Sequence, residues 1–318
     1  MKVVLGLDTS CYTTSAAIVS LSGQLISSQR KMLEVEQGKR GLRQSEAVFI
    51  HEKQISPLIV KLRGEFFDME IVAVCASTAP RKGEDSYLPV FMAGLSHAEA
   101  ISAALGVPCY KTNHQMGHIR AAMYGTGLSQ DSFLAFHLSG GTTDLLSVNG
   151  DDISLLGTSL DLHAGQLVDR IGVMLGLPFP SGPSLEELAR SAVPMSILPV
   201  SIERGTASCH LSGAEAALAR LIKENELSKE QIAIEVYDLL VRSAIRMLEA
   251  GLKKQGANSL LVAGGIASSE LFRKMLAERM KKRRTPIKLY FGRPELSGDN
   301  AVGVALIGLD KYLSQREE

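Results

Sequence analysis

Two histidines four residues apart, His114 and His118, have spacing suited to metal chemistry. On a helix that spacing sets both imidazoles on one face with Cβ atoms ~5–6 Å apart, as two cis ligands of one ion require. Histidine pairs that simply pack on or under a helix share the spacing. A third ligand must come from elsewhere. Asp299 is the candidate, although a carboxylate following Ser297-Gly298 at a predicted helix start also serves as an N-cap. The turn Ser139-Gly140-Gly141-Thr142 has two uses. As a hairpin turn it needs glycine for positive φ, and as a phosphate cradle it needs glycine for close backbone approach. Taken alone, the hairpin is the simpler reading. Gly264-Gly265, between a strand and a helix, is either close packing or a purine slot beside the sheet. Asp169 reads as a solvated helical carboxylate unless Gly182, in the Pro-Gly loop 177–183, closes over the same ligand. Cys11 reads as a small buried residue, since no base is fixed near it.

The elements that must position these groups come in two similar sets. Lys2 to Asp8, Thr14 to Ser20 and Gln24 to Arg30 read as a three-stranded meander with a turn at Ser22-Gly23. Ser132 to Leu138, Thr143 to Val148 and Ile153 to Thr158 repeat the pattern, with Asn149-Gly150 as a hairpin turn. Each set has a small, hydroxyl-rich first turn, so the repetition predicts an internal structural duplication with a boundary near Gly125-Thr126-Gly127. Between and beyond them lie predicted helices at 45–62, 88–105, 114–123, 164–175, 211–224 and 228–254. Another begins near Ser268, and a final one runs from Asp299 to about Leu313. Ser228 with Gln231 reads as a capping box.

The chain has 318 residues, 45% of them apolar, which supports two cores and excludes disorder. Lys plus Arg and Asp plus Glu are both 34, so no coat of positive charge exists for bulk nucleic-acid binding, though a local basic patch is compatible. Four scattered cysteines without a C-x-x-C argue for a reduced, cytoplasmic protein. No apolar run approaches the ~18 residues of a membrane span, and Asp8 comes too early for a signal peptide. The densest charge run, Lys281-Lys282-Arg283-Arg284, sits at a predicted helix C-terminus, where cations complement the dipole.

In order along nearly the whole chain, the motifs resemble the TsaD family of tRNA threonylcarbamoyladenosine transferases, formerly called O-sialoglycoprotein endopeptidases. Leu5 to Cys11 is similar to the family's L-G-I-E-T-S-C, and Asn113-His114 through His118 to its metal-binding helix. Leu138 to Thr142 is similar to V-S-G-G-H-T, Gly165 to Asp169 to G-E-A-F-D, and Leu175 to Pro183 to L-G-L-x-Y-P-G-G-P. Leu211-Ser212-Gly213, Val262 to Ala267 and Ser297 to Ala301 are similar to F-S-G, V-A-G-G-V-A and C-T-D-N-A. Departures include Tyr12-Thr13 in place of Asp-Glu, Met116 in place of a glutamate, Glu215 in place of a lysine and Ser269 in place of an asparagine. The family's P-G-L loop is Pro80 to Asp85 here.

The resemblance implies an α/β, actin-like and sugar-kinase-like duplicated fold, two lobes with mixed five-stranded sheets around a central cleft. The implied lobes are 1–125 with the C-terminal helix at about 299–318, and 126–298 with a helical insertion. It implies metal-assisted transfer of a threonylcarbamoyl group from threonylcarbamoyl-AMP to N6 of adenosine 37 of tRNA. His114, His118 and Asp299 would hold one divalent metal, iron or alternatively zinc. His137, Leu138, Ser139, Gly140, Gly141, Asp169, Gly182, Gly264, Gly265 and Ser269 would hold threonylcarbamoyl-AMP or ATP. Asp8 and Thr13 occupy catalytic positions. The implied partners are tRNA and the proteins of the same modification machinery, including an actin-like paralogue; the basic run 281–284 reads by default as a solvated helix end, the alternative being a contact with the tRNA backbone. Other classes compatible with the departures are a catalytically degenerate nucleotide-binding paralogue, an actin-like ATPase and, last, a metalloprotease, whose H-E-x-x-H glutamate is missing.

Overall fold

The computed structural model describes residues 1–10, 12–34, 42–64, 68–83 and 86–317. Cys11, Glu84 and Asp85 lie outside the described residues. The chain divides into two compact units, Met1–Tyr124 with Gly298–Glu318, and Gly125–Ser297.

The first unit opens with the strands β1 (Lys2–Ser10), β2 (Thr13–Ser20) and β3 (Leu25–Met32). The helix α1 (Gln44–Gly64), strand β4 (Glu70–Ser77), helix α2 (Val90–Leu105), strand β5 (Cys109–Thr112) and helix α3 (His114–Met123) follow. The second unit begins with β6 (Ser132–Leu138), β7 (Thr143–Asn149) and β8 (Asp152–Thr158). It continues with helices α4 (Ala164–Met174) and α5 (Gly182–Ala189) and the short pair β9 (Ser201–Ile202) and β10 (Cys209–His210). Helices α6 (Ser212–Glu224) and α7 (Lys229–Lys254), strand β11 (Ser259–Ala263), helix α8 (Glu270–Lys282) and strand β12 (Lys288–Phe291) complete it. The last helix, α9 (Val302–Glu317), returns to the first unit.

The first sheet has the order β3-β2-β1-β4-β5, and the second reads β8-β7-β6-β11-β12 in the same sense. In each, the three meander strands pair antiparallel and the other two lie parallel to the first. These are two mixed five-stranded sheets with helices, the duplicated actin-like, sugar-kinase-like arrangement. β1 is buried from Val3 to Ser10, because helices cover both its faces. Leu5 and Leu7 pack with Leu58 and Leu62 of α1 and Leu95 and Ala98 of α2. Gly6, of the opposite parity, faces Ala301 and Ala305 at the start of α9. The second core joins Leu134, Phe136, Leu260 and Val262 of the sheet to Leu167 and Ile171 of α4 and to the long buried face of α7.

Three local readings change. The loop expected at 177–183 ends in a helix, since Gly182 and Pro183 open α5, where proline's missing N–H is harmless. The final helix begins at Val302 rather than Asp299; Asn300 Oδ1 accepts the Val302 N–H at 3.0 Å. Ser228 caps α7 by accepting the Gln231 N–H at 3.2 Å, while the Gln231 side chain donates to Val193 O and Glu235. No helix among the described residues is long and apolar enough to cross a membrane.

Candidate functional site

α3 sets up the first cluster. Asn113 caps it by accepting the Met116 N–H at 2.8 Å, so the helix starts with His114 in its first turn and His118 one turn on. Their Nε2 atoms lie 2.9 Å apart. Asp299 Oδ1 lies 3.2 Å from His118 Nε2 and 3.5 Å from His114 Nε2. These three side chains form a group whose ligand atoms converge within 4.8 Å. Two ligands each ~2.1 Å from a shared ion are ~3.0 Å apart at a right angle and ~3.4 Å apart at a tetrahedral angle, so the three atoms fit one divalent cation.

The surroundings hold the group in place. Asp8 at the end of β1 is fully buried, and both its oxygens lie 3.0 Å from His114 Nδ1. Ser77, at the end of the parallel neighbour β4, donates to Asp8 Oδ1. Ser10 donates to Asp299 Oδ2 at 3.0 Å. Nδ1 of His114 therefore carries a proton toward Asp8, which turns Nε2 toward His118 and Asp299, the usual arrangement of a carboxylate behind a ligating imidazole. Burial works against a charged His114, but the Asp8 charge and hydrogen bonding to Asp299 outweigh it and raise its pKa to about 10. Burial also opposes ionised Asp299, yet hydrogen bonds from His114 and His118 hold its carboxyl far below the ordinary carboxylate range.

α9 brings Asp299 to α3 through one crossing. A Cβ on Gly303 would collide with the Gly117 carbonyl and come within 2.7 Å of the Ala121 nitrogen, so glycine alone allows the helices to approach this closely. Of the two readings of Asp299, the N-cap alternative does not hold, since its carboxylate meets the histidines and Ser10. Thr13 pairs with Ser10 at the start of β2 and is buried, and its carbonyl accepts from Ser10 Oγ at 3.4 Å. Tyr12 is exposed, and Met116 is buried. Ser10 and Ser77 support the cluster without having been singled out by spacing. The strand-end position of Ser10 in Asp8-Thr9-Ser10 carried some signal, whereas Ser77 needed the β1–β4 pairing.

The second unit gathers another set at the ends of the parallel strands β6 and β11. Ligands in α/β sheets bind beyond the carboxyl ends of strands. His137 pairs with Ala263 inside the sheet and Leu138 is buried in the core, so these two contribute to the turn through their place in the strand. After them Ser139 N donates to Thr142 O at 2.8 Å, and Ser139 Oγ accepts the N–H groups of Gly141 and Thr142 at 3.3 and 3.1 Å. The turn joins β6 and β7 as the expected hairpin, but neither Gly140 nor Gly141 has the positive φ expected there, and a Cβ on either would meet open space. Their absent side chains leave the turn uncovered instead.

The N-terminus of α4 lies under this turn. Ala164 N donates to Thr143 Oγ1 at 2.7 Å and Gly165 N to Ser139 O at 3.0 Å. A Cβ on Gly165 would sit 2.6 Å from Gly140 N. The positive end of a helix dipole thus faces an open backbone turn, an arrangement that suits an anion. Asp169 is tied rather than free, its Oδ1 accepting the Ser181 N–H at 2.8 Å and fixing the start of α5 at Gly182. Gly264 has φ +94°, and a Cβ there would strike the Leu138 carbonyl, which supports the packing reading. Gly265 faces open space. Ser269 caps α8, accepting the Phe272 N–H at 3.1 Å. Thr143 and Gly165 are the supporting residues missed here.

Comparison with known proteins decides the family. The family model of the tRNA N6-adenosine threonylcarbamoyltransferases, TsaD, matches residues 86–306. The chain belongs to the TsaD family. The tRNA N6-adenosine threonylcarbamoyltransferase of Carboxydothermus hydrogenoformans is 30% identical over 98% of this chain and 93% of its own. The protein of the same name from Dictyoglomus turgidum is 28% identical over the same shares. In fold, this TsaD family member is similar to a ROK family glucokinase from Streptomyces griseus solved with glucose and AMPPNP. That match has a TM-score of 0.57 and 12% identity, covering 97% of this chain and 99% of the other. The span matched to the family includes His114, His118, Asp299 and the Ser139 turn.

Proposed function

We propose that this TsaD family member transfers a threonylcarbamoyl group from threonylcarbamoyl-AMP to N6 of adenosine 37 in tRNA. The observation that carries the proposal is the convergence of His114, His118 and Asp299, with Asp8 behind His114. His114 Nε2, His118 Nε2 and an Asp299 oxygen would hold the divalent metal, iron or zinc. When bound, it supplies a Lewis acid for an oxygen of the threonylcarbamoyl group. Asp8 keeps the Nδ1 proton on His114 and so keeps Nε2 available, and Ser10 fixes the second oxygen of Asp299. In the second unit, the open turn 139–141 over the α4 N-terminus receives the phosphate of the adenylate, with Asp169 and Gly182 bounding the nucleoside side and Gly265 giving it room. The N6–C bond forms as the bond from the carbamoyl carbon to the phosphate oxygen breaks. AMP leaves with that electron pair, and the N6 proton passes to solvent or the released phosphate. Cytoplasmic partner proteins of the same modification, including an actin-like paralogue, complete the proposal.

A second reading is favoured by one observation. Where the family carries Asp-Glu, this chain has exposed Tyr12 and buried Thr13, so no carboxylate stands there to meet positive charge developing on the attacking amine. A paralogue that binds nucleotide without transfer fits that difference. Nucleoside profiling of tRNA from a strain lacking the gene separates the two. Loss of threonylcarbamoyladenosine supports transfer, and an unchanged level supports the second reading. Metal analysis tests the triad separately: wild type should carry stoichiometric metal and His114→Ala should not.

A further inference from the structure

We infer that the C-terminal ends of α7 and α8, with the groove beside the β9–β10 pair, form a surface that grips the phosphodiester backbone of tRNA. The inference rests on tRNA being the substrate. The groove measures about 470 Å³ and is lined by Val200, Ile202 and Gly205 on one side and by Arg246, Glu249, Lys253 and Lys254 of α7 on the other. Glu249 joins the groove to α8. It lies 3.7 Å from Arg246 and also pairs with Arg283, which pins the end of α8 against the last third of α7. Two basic helix ends thus become one field. At the end of α8, Arg279 and Arg283 are committed to Asp238 and Glu249, whereas Lys281, Lys282 and Arg284 stand exposed beside them, as Lys253 and Lys254 do on α7.

Helix-dipole compensation explains cations in a last turn. It does not explain Arg246, two turns before the end of α7 and inside the groove. Nor does it explain Arg284, which has φ +52° at a place past the helix end where glycine is the unstrained choice. Arg284 places a cation there despite the backbone cost. The chemistry favours RNA over an acidic protein. Lysine is depleted in protein interfaces, which are built on aromatic anchors, and the residues lining this groove include none. Exposed lysines and arginines beside an open groove match phosphate contacts, which supply affinity without reading sequence.

The test is equilibrium binding of the full chain to an unmodified tRNA transcript across a salt series, comparing wild type with the variant Lys253→Ala, Lys254→Ala, Lys281→Ala, Lys282→Ala. Circular dichroism and metal content check that the variant is folded. We expect at least a tenfold weaker Kd at 0.1 M salt, and a slope of log K against log salt that flattens by roughly 0.7–0.9 per lost contact. Equal Kd and equal slope would overturn this surface and leave the tRNA reading standing, as expected if the patch serves an acidic protein. Absence of tRNA binding by wild type would overturn the tRNA reading and this surface with it.

Discussion

The two sheets share strand order and pairing, yet the turns at matched places are built from opposite materials. At the end of β1 the atoms of the candidate site belong to side chains: buried Asp8 and Ser10 of the strand itself and, from neighbouring elements, His114, His118, Ser77 and Asp299. Beyond β6 they belong to the backbone: an open Ser139–Thr142 turn seated on the first N–H groups of α4. On the proposed function, one duplicated frame would yield two kinds of site. Charged side chains converging on a point suit a cation, while an uncovered backbone turn at the positive end of a helix suits an anion. The contrast predicts different sensitivities, because side-chain sites fail when a ligand or its support is removed, and backbone sites fail when bulk is added.

The largest effect should come from adding bulk at the two close approaches. Gly303→Val would drive a branched side chain into the Gly117 backbone, and Gly264→Val would do so against Leu138 with positive φ as a further penalty. Each should cost ~3 kcal/mol or more in denaturant unfolding. If the contrast between units is right, a folded remainder of Gly303→Val loses metal, whereas Gly264→Val keeps metal and loses nucleotide binding by calorimetry. Loss of both ligands in both variants would erase the distinction.

Next in size is Asp8→Asn, which removes the carboxylate behind His114 but little volume. Metal affinity should fall ~10–100-fold, as for other lost supporting partners of ligating histidines. AMP affinity should stay at the wild-type value. An unchanged metal affinity would mean that His114 orients without Asp8.

The pH dependence of the metal-free protein sharpens the same point. His114 ionises well above its ordinary 6.5, at about 10, because Asp8 and Asp299 stabilise its charge against the opposing effect of burial. A raised folded pKa contributes stability that is complete below 6.5 and lost as pH rises through about 10. The melting temperature of metal-free wild type should therefore decline between pH 7 and 10, and His114→Ala should flatten that decline. Metal affinity should move the other way and increase with pH, since binding displaces the proton. A melting temperature of metal-free wild type that is flat over this window would remove the proton from the cluster.

The smallest effect concerns Ser269, placed among the nucleotide-binding positions by family resemblance and found capping α8. Ser269→Ala should cost ~1 kcal/mol of stability. If AMP affinity also drops, the residue serves the ligand as well as the helix.

Local features were the legible ones. The repeated meander could be read because strand alternation and turns such as Asn149-Gly150 are short-range signals, and His114-x-x-x-His118 falls on α3 as its spacing requires. Asp299 was legible as the carboxylate that joins the two histidines, but the start of the helix after it was not. The backbone from Gly298 to Ala301 runs as a tight bend that satisfies its own groups through Asn300, so the helix starts later than the polar residues suggest. α5 was hidden behind Pro178, Pro180 and Pro183, whose local message is to break helices although proline is favoured in a first turn. Ser77 and Gly165 were illegible for a different reason. Their importance arises only when β4 pairs with β1 and when α4 packs under the Ser139 turn.

The path of the chain through the two units sets an order of assembly. His118 and Asp299 are 181 residues apart in sequence, and the whole second unit is encoded between them. At a synthesis rate of about 5–20 residues per second, the two imidazoles leave the ribosome roughly 10–40 s before their carboxylate partner. During that interval β1 lacks the helix that covers the Gly6 face. The His114–His118–Asp299 group can therefore close only after the second unit has been made, so a nascent chain lacks the carboxylate through which the proposed cation would be held.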